Sequence, residues 1–264
     1  MRGYYINRFL RIYPELWAGV IVEIICIAVF VTPISWRDLI LFTGSQATIL
    51  QFWTPESLRS FGVGTPNGSL WTICVMIQFY FVVYPLKRFC RGKKISFWII
   101  IEIVLMAVGA ATKYVEFFLP EVVYKLYCQT VIQYMWIFWL GMMIAEFKEY
   151  FLPKLIKFWY IPAMGAIMKR FSPFDVWARG FPIILSCFCL TAFLGLAYKL
   201  PSLKIKTDVS YALFIYHMIV VNVIIELGFI GNMAAFICCI VISIALALLS
   251  TILIGRNVAK LKIQ

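Results

Sequence analysis

Residues 70–94 read LWTICVMIQFYFVVYPLKRFCRGKK. The first part, 70–86, holds no charged residue, and Lys87, Arg88, Arg91, Lys93 and Lys94 follow it at once. A continuous apolar run this long is helical rather than strand-like and approaches the roughly 20 residues that cross a bilayer. Lys and Arg collect on the cytoplasmic side of membrane helices. The stretch therefore predicts a transmembrane helix that leaves the membrane on its cytoplasmic face.

The same pattern recurs outward from it. Apolar runs cover 16–34, 95–112, 129–146, 181–198, 209–227 and 232–254, with weaker ones at 38–53 and 154–168. Barrel strands would be shorter and would alternate. Of 264 residues, 63% are hydrophobic and 14% charged. A soluble domain holds about 45–50% apolar and about 25% charged residues, so composition excludes one. The net charge of +12 reads as loops obeying the positive-inside bias, not as nucleic-acid binding. No linker or internal repeat divides the chain, so one membrane-embedded domain over 1–264 is expected.

Counting loop cations sets a topology. Arg2, Arg8 and Arg11 share a side with the Lys87–Lys94 cluster only if 38–53 does not cross. Thr43, Gly44, Ser45, Gln46 and Thr48 make that run suitable for a shallow or re-entrant segment. With 154–168 crossing, seventeen of the 24 cations lie inside, including Lys204, Lys206 and Lys262. Seven lie outside: Arg37, Arg59, Lys113, Lys125, Lys169, Arg170 and Arg179. The expected fold class is all-α: a polytopic membrane protein of about eight spans plus one short or re-entrant helix. Both termini would be cytoplasmic, in an inner (cytoplasmic) membrane. Cys90 and Cys128 would then face opposite sides.

The eight cysteines do not form a disulfide or metal framework. Cys26, Cys74, Cys187, Cys189, Cys238 and Cys239 sit in apolar runs and read as small buried hydrophobes. One histidine and no CxxC pair leave no zinc pattern, and no metal is expected. The N-terminus lacks a signal-peptide pattern.

Three stretches carry candidate chemistry. Arg8 and Arg11, spaced i, i+3, share a helix face. Two guanidiniums suit a polyphosphate; an interfacial anchor is the plainer alternative. Pro14 suits a helix start. Next, Thr65-Pro66-Asn67-Gly68-Ser69-Leu70-Trp71-Thr72 reads as a turn entering a helix, with Ser69 as N-cap. Asn67-Gly68-Ser69 also matches a glycosylation acceptor. Finally, His217 lies about two turns into an apolar helix, with Asp208, Ser210 and Tyr211 available to cap its start. An ionisable group inside a membrane is a functional candidate; a structurally bonded neutral imidazole is the alternative. Glu23 and Glu102 also lie within helices, either paired or protonated.

Together and in this order, these stretches resemble the acyltransferase 3 family of integral membrane O-acyltransferases. The family's Arg-x-x-Arg-Ile-Tyr-Pro is similar to Arg8–Pro14. Its Asn-Gly-Ser-Leu-Trp-Thr entry, with Gln-Phe-Tyr and Tyr-Pro downstream, matches Asn67–Thr72, Gln78–Tyr80 and Tyr84-Pro85. Its Ser-Tyr-…-Tyr-x-His helix is similar to Ser210–His217, where Tyr216 directly precedes His217. The resemblance implies transfer of an acyl group, often acetyl, from acyl-CoA to a hydroxyl of a surface polysaccharide or glycolipid. Acyl-CoA would be the donor substrate, with no bound cofactor. Arg8 and Arg11 would bind acyl-CoA. Asn67, Ser69, Trp71, Tyr80, Ser210 and Tyr211 would shape or line the site, and His217 is the candidate catalytic base. The implied partners are the bilayer, acyl-CoA and a glycan or glycolipid acceptor.

Departures accompany the match. Two family helices, the first bearing an Arg and a His, precede Arg-x-x-Arg and have no counterpart in 1–264, so an N-terminally truncated domain is expected. Met76 stands where Glu is usual, and Ser250…Gly255-Arg256-Asn257 replaces a Ser…Glu-Lys-Pro stretch. Two further readings therefore stand beside the enzyme: an inactive acyltransferase-like binding protein, and a small transporter or exporter.

Overall fold

The computed structural model describes residues 2–171, 177–178, 181–201 and 207–261. Arg179, Lys204, Lys206 and Lys262 of the charge count lie outside them, as do the side chains of Arg2 and Lys113. In chain order the helices are α1 (Arg2–Phe30), α2 (Trp36–Gln46), α3 (Trp71–Cys90), α4 (Ile95–Val115), α5 (Glu121–Tyr127) and α6 (Met135–Glu146). They continue with α7 (Lys148–Phe158), α8 (Tyr160–Arg170), α9 (Ile183–Lys199), α10 (Ser210–Glu226), α11 (Met233–Ser250) and α12 (Arg256–Ala259). Thr251–Gly255 is a π-helical turn. A two-residue antiparallel pairing, Trp177–Ala178 with Phe181–Pro182, is the strand structure among the described residues.

The helical membrane class holds. Among the described residues, four helices are long and apolar enough to cross a membrane: Gly3–Phe30, Trp71–Cys90, Ile95–Thr112 and Met233–Ala259. The α5–α6 region, bent by 52°, makes a fifth if it counts as one span. Apolar α9 and α10 are 17 residues each. Eight is a larger number than these lengths establish. The weak run 38–53 is helical only as far as Gln46, in α2, whose 11 residues reach only about 16 Å, far short of a crossing. The run 154–168 is not one helix: it divides at Trp159 into α7 and α8.

Two compact units emerge, Met1–Phe81 with Ile205–Gln264, and Val82–Lys204. In the first, Ile12, Leu16 and Val20 of α1 form a buried stripe with Leu70, Ile73 and Ile77, Ala212, Ile215 and Ile219, and Ala247. Spacings of three and four residues put each set on one helix face. A second cluster seats α2 against the end of α1 through Ile27, Leu39 and Phe42, with Leu58 and Phe61.

Pro14 is not at a helix start. α1 begins at Arg2 and passes through it. A proline inside a helix removes the bond to the carbonyl four residues back, here that of Leu10. Extensive packing of the flanking Ile12 and Leu16 holds the helix together through that gap.

In the second unit Trp98 and Trp139 pack at 4.7 Å between ring centroids, and Trp139 Nε1 donates to Trp98 O at 3.0 Å. α7 and α8 both pack along α9. Gly195 permits this approach, because a Cβ there would fall 2.3 Å from Leu155 O.

The cysteine expectation holds in part. Cys74 is buried and Cys26, Cys187, Cys189 and Cys239 are half-buried, but Cys238 is exposed on α11. Cys90 and Cys128 are both buried, so their native thiols are poor reporters of sidedness.

Candidate active site

The site grows from an irregular segment, residues 62–69, laid along α10. Backbone inside a membrane bundle must find partners within the protein. Here side chains supply them. Asn222 Nδ2 donates to Thr65 O at 2.9 Å and Pro66 O at 2.7 Å. Its Oδ1 accepts from Val63 N at 3.2 Å. Glu226 Oε1 accepts from Gly62 N at 2.5 Å. Gly62 has φ +60°, and a Cβ there would lie 2.2 Å from Asn222 Oδ1, so glycine is required both by conformation and by space.

Asn67 is 3% exposed, and its Nδ2 donates to Ile215 O at 2.8 Å. That amide is closed to a glycan. Ser69 lies two residues before the start of α3. Its hydroxyl lies 2.7 Å from Asn67 Oδ1 and 3.2 Å from Phe214 O. It has one proton to donate, and the shorter contact takes it. Asn67 is thereby oriented, oxygen to Ser69 and nitrogen to α10.

His217 turns back onto its own helix. Nδ1 lies 3.1 Å from Leu213 O and 2.9 Å from Phe214 O. Both are acceptors, so the geometry assigns the proton to Nδ1 and leaves the lone pair on Nε2. His217 lines a cavity of 550 Å³ between α10 and α11, with Ser210, Phe214, Phe236 and Ser243. Nε2 is the nitrogen it can offer there.

A second cavity, 320 Å³, adjoins the start of α10. Arg11 and Glu15 of α1, Asp208 and Tyr211, Thr251 of the π turn, and Arg256 line it. Tyr211 OH donates to Ile12 O at 2.9 Å, tying α10 to α1 beside Pro14. Arg256 Nη2 donates to Thr207 Oγ1 at 2.8 Å. Asp208 Oδ1 accepts from Ser210 Oγ at 2.6 Å and from Ser210 N at 3.0 Å. These bonds hold the Asp208 carboxyl below its ordinary value, and nearby Arg11 lowers it further. The cap position of α10 is Val209, which has no side-chain cap bond, so Asp208 secures the turn just before the helix rather than capping it. The Asp208–Ser210 bond also joins the linings of the two cavities.

Arg8 and Arg11 do not converge. Arg8 sits 5.1 Å from the Tyr4 ring centroid and 5.0 Å from that of Tyr80, in a separate, mostly apolar cavity with Tyr5, Tyr13 and Ile77. Three residues turn a helix by about 300°, so the two side chains diverge by about 60°. Of the other candidates, Tyr80 belongs to this aromatic cage, Ser210 to the histidine cavity and Tyr211 to the arginine cavity. Trp71 opens α3, half-buried, in none of these three. Met76 packs against the first core cluster.

Sequence reading missed Asn222, Glu226 and Arg256. An Asn and a Glu in an apolar helix were the available signal, since membrane polar groups seek partners across helices. Neither carboxylate oxygen of Glu23 or Glu102 meets a donor among the described residues, so the paired reading of those two does not hold there.

The sequence model of the acyltransferase 3 family, described as an acyltransferase domain, matches residues 1–252. Nodulation protein 10 of Rhizobium leguminosarum bv. viciae is 25% identical over 288 residues, covering 98% of this chain and 76% of that protein. No solved structure matches the chain. A family match over residues 1–252, which takes in the histidine cavity and all of the arginine cavity's lining except Gly255–Ala259, decides the kinship: the chain belongs to the acyltransferase 3 family.

Proposed function

We propose that this chain is a membrane O-acyltransferase that moves an acyl group, acetyl in the first instance, from acyl-CoA to a hydroxyl of a surface polysaccharide or glycolipid. One observation carries the reading: a two-arginine cavity and an apolar histidine cavity meet at the Asp208–Ser210 bond. Acyl-CoA has the same division, charged at one end and uncharged along its arm. Arg11 and Arg256 receive phosphates, since guanidinium pairs with phosphate oxygens in bidentate fashion. From Asp208 to His217 is nine residues, about 13 Å of helix rise, which the pantetheine arm spans. His217 Nε2 takes the proton of the acceptor hydroxyl as its oxygen attacks the thioester carbon. The C–S bond then breaks and CoA leaves as the thiol once protonated. Arg8 is a structural and interfacial residue in this scheme.

We place the chain in an inner membrane with about eight spans and both ends cytoplasmic. The basic loops support that orientation. Exposed Lys94→Cys and Phe118→Cys, in a background without Cys238, replace the buried native thiols as reporters. Lys94→Cys is expected to resist an impermeant maleimide in intact cells, while Phe118→Cys reacts.

The direct test is acyl-CoA binding and turnover by the reconstituted chain. Arg11→Ala/Arg256→Ala weakens acyl-CoA binding by roughly tenfold or more, as loss of charge-assisted bonds requires. Unchanged affinity overturns the donor site. Met76 supports a second reading, a binding protein without turnover, because a thioether in the core cluster supplies no acid or base. Acyl-CoA binding with no transfer to any hydroxyl acceptor would favour it.

A further inference from the structure

Tyr84, Lys87, Arg88 and Arg91 fall at i, i+3, i+4 and i+7 at the end of α3 and the turn beyond it. This is the spacing of a helix face that normally packs apolar residues inward. Here it carries three cations. They open onto a cavity of 690 Å³ closed on its other side by Glu146, at the end of α6. Among the described residues none of the three cations is in an ion pair; the pairs formed are Lys125–Glu121 and Lys148–Glu149. Nearby Lys93 is otherwise engaged, lying over the rings of Phe89 and Phe97 at 5.8 and 5.6 Å.

We propose that this stripe is a binding site for an anionic phospholipid headgroup, one carrying a phosphate and free hydroxyls. Lys87, Arg88 and Arg91 bind the phosphate, and Glu146 accepts from a headgroup hydroxyl. A lipid, rather than a soluble phosphate compound, is favoured by position. The cavity begins at Tyr84, where a helix long enough to span the membrane turns from apolar to basic. Tyrosine prefers that depth. Phe89, 64% exposed on the same turn, offers a ring to acyl chains. Clusters of Lys and Arg directly beyond a span attract anionic lipid. Glu146 disfavours headgroups with an added carboxylate, which selects phosphatidylglycerol over phosphatidylserine.

Native mass spectrometry of the full chain released from detergent tests this. In equimolar phosphatidylglycerol and phosphatidylcholine, the chain should retain phosphatidylglycerol preferentially. Lys87→Gln/Arg88→Gln/Arg91→Gln should lower that retention roughly tenfold or more, whereas Arg11→Gln/Arg256→Gln should leave it intact. Arg91→Gln alone, just past the helix, gives a smaller loss and guards against a triple variant that fails to fold. Equal retention of both lipids, or retention unchanged in Arg91→Gln and the triple variant alike, overturns the proposal. So does displacement of the lipid by inorganic pyrophosphate at equal concentration, which would make the site one for soluble phosphates.

Discussion

The two sides of α10 contrast. Toward residues 62–69 it is fastened by Asn222 and Glu226, while Asn67 reaches back to the Ile215 carbonyl. Toward α11 it meets apolar side chains and leaves cavities of 550 and 490 Å³. One side is defined by directional bonds and the other by space. Directional bonds fix the helix rotation, and with it the carbonyls that hold His217 Nδ1. In the proposed reaction, the space on the far side takes the reactant. A general base needs both a set orientation and room for what it deprotonates.

Removing the proposed base gives the largest expected effect. His217→Gln should lower acyl transfer by about 10²–10⁴-fold while acyl-CoA binding stays near wild type. The amide keeps a donor for the Leu213 and Phe214 carbonyls but has no basic nitrogen. If transfer persists at the wild-type rate with binding intact, the open side of α10 is not where the chemistry occurs. Because this chain has one histidine, nitrogen-15 histidine labelling reads the tautomer without ambiguity, and Nδ1–H is expected.

The fastened side should fail differently. Asn222→Leu orphans the buried Pro66 carbonyl and the part-buried Thr65 carbonyl and Val63 N–H, and a buried unsatisfied group costs about 1–3 kcal/mol. A loss of about 3 kcal/mol in detergent unfolding is expected. Gly62→Ala strains the same contact, so the double variant should lose less than the sum of the singles. Additive losses would mean that the segment is not one fastened unit.

Much of the helical class was legible because membrane helices are long and nearly free of charge, as in 70–86. The break at Trp159 was not. Length and hydropathy locate apolar segments, whereas a break depends on how α7 and α8 pack on α9. At the site, the Asn67–Ser69 turn was legible as a turn because Pro66 and Gly68 carry local conformational preference. What its side chains bind was not. Phe214 and Ile215 lie some 145 residues away, and spacing says nothing about such contacts. Arg8 and Arg11 share a helix face as their spacing gives, but spacing could not show that they line different cavities, with Arg8 held over Tyr80.

That division predicts separate phenotypes three residues apart. Arg8→Leu removes two cation–π contacts, worth about 0.5–1 kcal/mol each where solvent reaches them, so stability should fall by about 1 kcal/mol with donor affinity little changed. Arg11→Ala should raise the acyl-CoA KM and leave stability nearly unchanged, since Arg11 is exposed. Identical phenotypes would restore the shared phosphate clamp.

The smallest effect belongs to Asp208, where the two cavities meet. Its carboxyl is held below the usual range chiefly by the Ser210 hydroxyl, then by the Ser210 N–H, with Arg11 adding to them. The folded state therefore favours the charged form. Its contribution to stability is complete above the unfolded carboxylate value, near 3.9, and is lost as pH falls through the lower folded value. Solvent and salt screen the group, so the stabilisation is small. Asp208→Asn keeps an acceptor for both Ser210 donors but carries no charge. Thermal midpoints in detergent should differ slightly between wild type and variant at pH 6, and the gap should close toward pH 3. A gap that is constant with pH would mean that the hydrogen bonds alone hold the start of α10, with the charge playing no part in joining the phosphate side to the histidine side.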